Sequence, residues 1–471
     1  MIGEFTLVEL AQQLGLEAPA VDVAFRRVST DTRTLEAGDL YVALSGAHFD
    51  GNAFIDAAIE RGAAGVVTTR ACASVRCPCL TVPDTLAAFA AISRLNRRRG
   101  AATLIALTGS QGKTSVKEML GSILAVEDST LITSANLNNT VGVPQTLLGL
   151  EATHRYAVIE MGANGAGEIA FSVAAAEPDV ALITKASAAH IEGFGSLQGI
   201  VEAKGEIIDG LAATGVAVLN ANDPNCGQWI ARAGGRPIRL FSLGGRVSSA
   251  DYRSTASHLL ADGRLAYTLI TPQGEVAIES ALIGNHNVEN ALAAAACALE
   301  AGASLASVRL GLAQAQPVPG RLFPSIGRAG CRLLDDTYNA SPDSFRAGIE
   351  VLMAAEGSQV LVAGEMFELG DEAEDAHRDV GEFAAACHVP QLLALGEQCG
   401  AMVDAYTAAG GRHAQLFASH EALANACLER AHDGRVFLIK GSRGARMEKI
   451  VAALAADDES DAASTTEDNR H

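Results

Sequence analysis

The stretch Thr103-Leu-Ile-Ala-Leu-Thr-Gly-Ser-Gln-Gly-Lys-Thr-Ser115 constrains this chain more than any other. The apolar run Leu104 to Leu107 predicts a buried strand, which breaks at a turn holding Gly109 and Gly112; a helical pattern then runs from Ser115 to Val126. Glycines let successive N–H groups turn inward around an anion, and a helix N-terminus adds positive potential. Lys113 can reach terminal phosphates, and Thr114 offers a hydroxyl to Mg²⁺. Gly109, Ser110, Gln111, Gly112, Lys113, Thr114 and Ser115 are therefore expected to hold a nucleoside triphosphate. The general phosphate-loop pattern has a glycine five positions before Gly112, where this chain carries Leu107.

A chain of 471 residues has room for about three domains at ~150 residues each. Aromatic residues are only 4% against 49% apolar in all, a balance that suits helices packed closely on parallel sheets. The formal net charge of −20 argues against nonspecific binding of nucleic acid or acidic membranes, which need a basic face. No apolar run is long enough to span a bilayer, and Met1-Ile-Gly-Glu-Phe-Thr lacks signal-peptide character, so a cytoplasmic protein without membrane insertion is expected. The nine cysteines show no zinc spacing, even at Cys72, Cys77 and Cys79, and read as free thiols.

Along the chain, Thr6 and Glu9 form a capping-box pattern ahead of a helix from about Leu7 to Leu14. Strand Leu40 to Leu44 ends in small polar residues, the place where open α/β sheets bind ligands. Arg97-Arg-Arg-Gly100 marks a boundary, its arginines reading as a solvated helix end. Three asparagines in Asn136-Leu-Asn-Asn139 require a loop or a ligand. Glu160, closing strand Tyr156 to Glu160, is either a helix-capping carboxylate or a metal ligand. His190, after strand Val180 to Thr184, is either an ordinary core or surface histidine or a metal contact, and Lys204 reads from spacing as a solvated surface charge. Gln316-Pro-Val-Pro-Gly-Arg-Leu322 is a second break. Strands at 332–336, 360–363, 391–395 and 436–439 alternate with helices and lack a dinucleotide fingerprint. Lys440 and Arg443 place two cations at a helix entrance, suited to a carboxylate or phosphate.

Taken in order over about residues 25 to 455, these pieces resemble the Mur ligase family of cell-wall amide-forming enzymes. The carrying residues are the phosphate loop, Asn136 to Asn139, Glu160, His190, Ala203-Lys204, Gly284-Asn-His-Asn-Val-Glu-Asn-Ala291 and Gly320-Arg321. Asp335-Asp-Thr-Tyr-Asn-Ala-Ser-Pro-Asp-Ser344, Gly364-Glu-Met-Phe-Glu-Leu-Gly370 with His377-Arg378, and Lys440-Gly-Ser-Arg443 look most like one branch. Its members join D-alanyl-D-alanine to a UDP-N-acetylmuramoyl-tripeptide (UDP-MurNAc-tripeptide) at the cost of ATP. A sister branch adds the third residue and carries Asp-Asn-Pro-Arg in its last domain; this sequence has no such motif.

The resemblance implies an α/β fold of three domains: a small UDP-binding α/β domain (1–98), a central phosphate-loop domain with a parallel sheet (99–316), and a Rossmann-like doubly wound domain binding the amino acceptor (317–455). An acidic tail (456–471), expected to be disordered, follows. It implies that Ser29, Thr30, Asp31, Thr32, Arg33, Ser45, Gly46, Asp50, Gly51 and Asn52 face the UDP-sugar, with Thr32 and Asn52 standing where serine and histidine are expected. Asn287 and Asn290 would hold adenine, Asp336 and Tyr338 the ribose side, and Arg321 the γ-phosphate. Lys113, Lys204, His190 and Arg321 would be catalytic, with Thr114, Glu160, His190 and Lys204 around two Mg²⁺ ions and Lys204 carbamylated. Asn339, Lys440 and Arg443 would take the acceptor. The protein is expected to act as a monomer.

Overall fold

The computed structural model describes residues 1–46, 49–70, 77–187, 191–261 and 263–456. His190, Cys72 and the acidic tail from 457 onward lie outside the described residues. The chain forms three main sheets in sequence. The first has four parallel strands, Val28–Ser29, Leu40–Val42, Gly65–Thr68 and Cys79–Thr81. The Leu7–Gln13 helix closes over it, and the hydroxyl of its cap Thr6 accepts from the Glu9 N–H, as the capping pattern predicts. Leu7, Leu10, Phe25, Leu40, Val42, Phe89 and Ile92 share one core beneath it.

The second sheet runs in the order Thr130–Ile132, Tyr156–Glu160, Thr103–Thr108, Val180–Ile183, Val216–Asn220 and Ile238–Ser242, all parallel. The phosphate-loop strand therefore lies inside the sheet, flanked by the strands that end in Glu160 and lead to Thr184. Beyond Tyr252–Ser254 the sheet turns antiparallel through the hairpin Leu265–Thr271 and Gly274–Ser280. Leu265, Tyr267 and Leu269 are buried on one side of that hairpin while alternate residues are not, the period of two that a half-buried strand needs. This extension was not anticipated from the sequence.

The Lys113–Glu127 helix packs on the second sheet and against the Asn285–Glu300 helix. The latter buries Ala291, Ala293, Ala294, Ala295, Ala296 and Ala298, and side chains this small let helices approach closely. Gly311 extends the same principle, since a Cβ there would lie 2.4 Å from the Ile123 Cα.

The third sheet has the order Phe323–Ile326, Arg332–Asp336, Arg435–Lys440, Ser358–Gly364, Leu392–Leu395 and Ala414–Phe417. Its first strand is antiparallel and the rest are parallel, with helices on both faces. The strands at 323–326 and 414–417 are additions to the four expected. Among the described residues, no helix is long and apolar enough to cross a membrane.

Three expectations need correction. The arginines ending the Thr85–Arg99 helix are more than a solvated end: Arg98 and Arg99 are exposed, yet all three are engaged. Arg99 lies over the Phe5 ring, 3.6 Å to the centroid, and pairs with Glu9; Arg97 donates to the carbonyls of Ala176 and Ala102 and to Asp179; Arg98 pairs with Glu177. Arg97 and Arg98 join the first sheet's layer to the second, while Arg99 stays within the first. Nor is Lys204 a surface charge, being only 4% exposed because the Leu197–Asp209 helix turns it inward with Ile200, Val201 and Ile207. Finally, Cys79 is disulfide-bonded. Lack of metal spacing excludes zinc but not a covalent bridge. Seven other cysteines are free thiols as expected, six of them buried.

Candidate active site

Backbone geometry builds the phosphate loop. Gly109 has φ of 149° and Gly112 of 80°; a Cβ would stand 1.9 Å from Thr184 Oγ1 at the first and 2.4 Å from Asn290 Oδ1 at the second. Only glycine fits either place. The loop is tied to the next strand end, for Thr184 Oγ1 donates to the Gln111 carbonyl at 2.6 Å and the Ser110 N–H to the Lys185 carbonyl at 2.8 Å. The helix begins at Lys113, two residues earlier than its apolar pattern. Lys113 Nζ folds back to the Gly109 carbonyl at 2.7 Å. Burial holds its pKa below the usual lysine range, with the Arg321 charge acting in the same direction and Glu160 opposing.

Glu160 is 1% exposed, and its carboxylate is not capping a helix. Oε1 accepts from Asn138 Nδ2 at 2.8 Å and from Thr114 Oγ1 at 3.3 Å, while Oε2 has no hydrogen-bond partner. Lys117 Nζ, 3.9 Å away, supplies some opposing charge. A buried carboxylate oxygen without a donor, beside the phosphate-loop hydroxyl, suits a hard cation with oxygen ligands. Lys204 lines the same cleft, 5.3 Å above the Phe194 ring. Burial, and then the charge of Lys113, bring its pKa down to about 7. A large fraction of Lys204 is therefore a neutral amine near pH 7.

The third sheet closes the other wall. Arg321, from the Pro- and Gly-rich segment, donates from its guanidinium to Thr114 Oγ1 at 2.8 Å and lies over the Tyr338 ring at 4.3 Å. The Tyr338 N–H donates to the Gly320 carbonyl at 3.1 Å, which fixes the stack. Gln111 Nε2 reaches Ser341 Oγ at 2.9 Å, and Lys185 pairs with Asp343 at 3.3 Å. Asn290 Nδ2 donates to Asn287 Oδ1 at 3.2 Å, and Asn287 Nδ2 to the Ile283 carbonyl at 2.9 Å, so the two asparagines act as a linked pair above Gly112. The cleft so formed encloses about 980 Å³.

Within that cleft stand Gly109 to Ser115, Glu160, Lys204, Asn287, Asn290, Arg321, Asp336, Tyr338, Asn339, Lys440 and Arg443. Lys440 differs from expectation, being 1% exposed with Nζ 2.7 Å from Asp336 Oδ2, because both residues close neighbouring parallel strands in register. His286 beside this pair is kept neutral, burial pushing it down to about 4 although Asp336 opposes the shift. Among the described residues none before Gly109 lines the cleft. The UDP candidates gather instead at the ends of the first sheet. Asp31 forms a fork with Arg33 that holds its carboxyl at about 2; Asp50 Oδ1 accepts from Ser45 Oγ and Asn52 Nδ2, while Thr68 Oγ1 donates to Asn52 Oδ1. Thr30, Thr32, Gly46 and Gly51 flank these groups. Asn52 is thus a buried hub of the hairpin.

Sequence reasoning missed Lys117, Ser341, Lys185, Asp343 and Arg70, the last paired with Asp50. Lys113 and Lys117 are one helical turn apart, and Ser341-Pro-Asp-Ser344 is a helix-capping pattern whose cap lies at the cleft, so both carried a signal.

Family models match the chain in series: "Mur ligase family, catalytic domain" at residues 24–97, "Mur ligase middle domain" at 107–298, and "Mur ligase, glutamate ligase domain" at 320–443. The chain belongs to the Mur ligase family. This Mur ligase is 43% identical over 452 residues, 95% of its length and 98% of the relative's, to the UDP-N-acetylmuramoyl-tripeptide--D-alanyl-D-alanine ligase of Escherichia coli (strain K12). Its fold is similar to a crystal structure of MurF from Acinetobacter baumannii (TM-score 0.86, 35% identity, covering 96% of this chain and 99% of that one). It also matches MurF ligase from Thermotoga maritima in complex with ADP (TM-score 0.81, 26% identity, covering 91% and 96%). The Mur ligase has its three matched segments on its three main sheets, in order.

Proposed function

We propose that this Mur ligase joins D-alanyl-D-alanine to UDP-N-acetylmuramoyl-tripeptide with hydrolysis of ATP, giving UDP-MurNAc-pentapeptide, ADP and phosphate. The observation that carries the reading is the meeting of Arg321, from beyond the Pro-rich segment, with Thr114 of the phosphate loop in a cleft that also holds Lys113, Glu160 and Lys204. A carboxylate attacking a γ-phosphate meets strong like-charge repulsion, and Lys113 and Arg321 are the two cations able to neutralise both reactants. Attack breaks the γ-phosphate bond to ADP and forms an acyl phosphate. The neutral amine of the dipeptide then adds to the acyl carbon, the tetrahedral intermediate collapses, and phosphate departs with its electron pair as the amine proton is lost. Water would destroy the acyl phosphate, and the contacts Gln111–Ser341 and Lys185–Asp343 suit a cleft that shuts against it.

In this reading Thr114, Glu160 and Lys204, with His190, would hold two Mg²⁺ ions, which would withdraw charge from the phosphate oxygens when bound. Glu160 Oε2, which has no hydrogen-bond donor, supports that assignment. The neutral Lys204 amine can add to CO₂, forming an N–C bond and releasing a proton, so that a cation becomes an anionic oxygen ligand. Asn287 and Asn290 face adenine, Asp336 and Tyr338 the ribose side, and Arg443 with Asn339 the acceptor. Ser29 to Arg33 and Ser45 to Asn52 belong to a separate UDP-sugar site, in keeping with domains dividing near residues 98 and 316. ATP and a UDP-linked substrate place the reaction in the cytoplasm. The presence of Asp335-Asp-Thr-Tyr-Asn339 and the lack of an Asp-Asn-Pro-Arg motif in the sequence favour this acceptor over the amino acid that a sister ligase adds. Phosphate release that requires ATP, UDP-MurNAc-tripeptide and D-Ala-D-Ala together is the expected result; release without either of the last two would defeat the reading.

A further inference from the structure

Lys440 is the cleft cation whose engagement fits a substrate ligand least. Its Nζ donates to Asp336 Oδ2 at 2.7 Å and to the Asn339 carbonyl at 2.9 Å. An ammonium has three donors, and two are spent on one short loop of its own protein. Asp336 opens that loop on the side where Tyr338 carries Arg321, and Asn339 closes it just before Ser341, the partner of Gln111. Two residues on, Ser442 fastens the same loop from behind: its Oγ donates to the Ala340 carbonyl and accepts from the Phe367 N–H, and its N–H donates to the Glu365 carbonyl. Drawing Lys440 away to a substrate carboxylate would strand the half-buried Asp336 carboxylate without its counter-charge.

We propose that Lys440 is a positioning residue that clamps Asp336, on the nucleotide side, to the 337–341 loop on the acceptor side, so that one ammonium sets both subsites together. The role rests on the function proposed above, in which Asp336 faces ATP and Asn339 faces the dipeptide. It replaces the expectation that Lys440 binds the acceptor directly.

The test uses full-length Lys440→Met and Lys440→Arg enzymes, with KM measured for each of the three substrates and for D-Ala-D-Ala against its C-terminal amide. Lys440→Met is expected to raise KM about tenfold for both ATP and the dipeptide, the loss of one charge-assisted hydrogen bond at each. The KM for UDP-MurNAc-tripeptide and the preference for acid over amide should match wild type, and Lys440→Arg should recover most of both losses. A rise for the dipeptide alone, with the acid preference lost, would overturn the proposal by showing direct binding of the carboxylate; unchanged KM values would overturn it as well. Should Lys440→Met not fold, Lys440→Met/Asp336→Asn removes both buried charges and is compared with Asp336→Asn. No further rise in the ATP KM supports the clamp, and an additive rise refutes it. Wild-type enzyme inactive with D-Ala-D-Ala would instead defeat the assigned reaction and this role with it.

Discussion

Lys204 shows how far a single residue can depart from what its neighbours in sequence suggest. Its pKa falls from 10.5 to about 7 on folding, so between those values the unfolded chain binds more protons than the folded one. Stability from this group is therefore expected to rise with pH across that window, and to be least below pH 7. Denaturant titrations at pH 7 and 9 should show a smaller gain in Lys204→Met than in wild type. Lys204→Ala should lower turnover at least about a hundredfold if Lys204 supplies a metal ligand, with partial recovery in small carboxylates; full activity would return it to a packing role. On the proposed function, Arg443, exposed at the cleft, is left to meet the acceptor carboxylate once Lys440 is engaged. Arg443→Ala should raise the dipeptide KM by about tenfold to a hundredfold and leave the ATP KM in place, since one charge-assisted hydrogen bond is worth ~1.5–3 kcal/mol. Steady-state kinetics with each substrate varied separately decides it. Phosphate-loop chemistry was legible because residue type and spacing together name it. The states of Lys204 and Lys440 were not, because burial and ion pairing arise from residues more than a hundred positions away in the case of Asp336 and Lys440.

At the scale of elements, the strand and loop from Thr103 formed as read, with the helix after them starting two residues early, and the four expected strands of the last sheet are present. Strand Ala414–Phe417 escaped because it is a short edge element with two exposed residues, and Phe323–Ile326 because it contains Pro324 and pairs antiparallel at the opposite edge. The loop itself gives a sharp prediction. Gly112→Ala would place a methyl in a left-handed backbone and 2.4 Å from Asn290 Oδ1. The backbone term alone costs about 1–2 kcal/mol. A drop of roughly 2–8 °C in Tm is expected. The ATP KM should rise as Asn290 moves, and a variant with wild-type ATP affinity would separate the asparagine pair from the nucleotide.

Across the whole molecule, the UDP candidates and the phosphate loop occupy the ends of different sheets, so their losses should be separable. Lys113→Ala should abolish ligation while the fold by circular dichroism and the affinity for UDP-MurNAc-tripeptide by calorimetry stay near wild type; weakened UDP-substrate binding would mean that the two sites share structure. The arginine-rich end of the Thr85–Arg99 helix adds a mechanical meaning to that division. Arg97 and Arg98 cross-bolt the first layer to the second through two carboxylates and backbone carbonyls, whereas the second meets the third at the cleft through isolated side-chain contacts. On the proposed function, three chemical compartments then amount to two mechanical parts, a handle made of the first two and a single jaw that would carry the dipeptide to it.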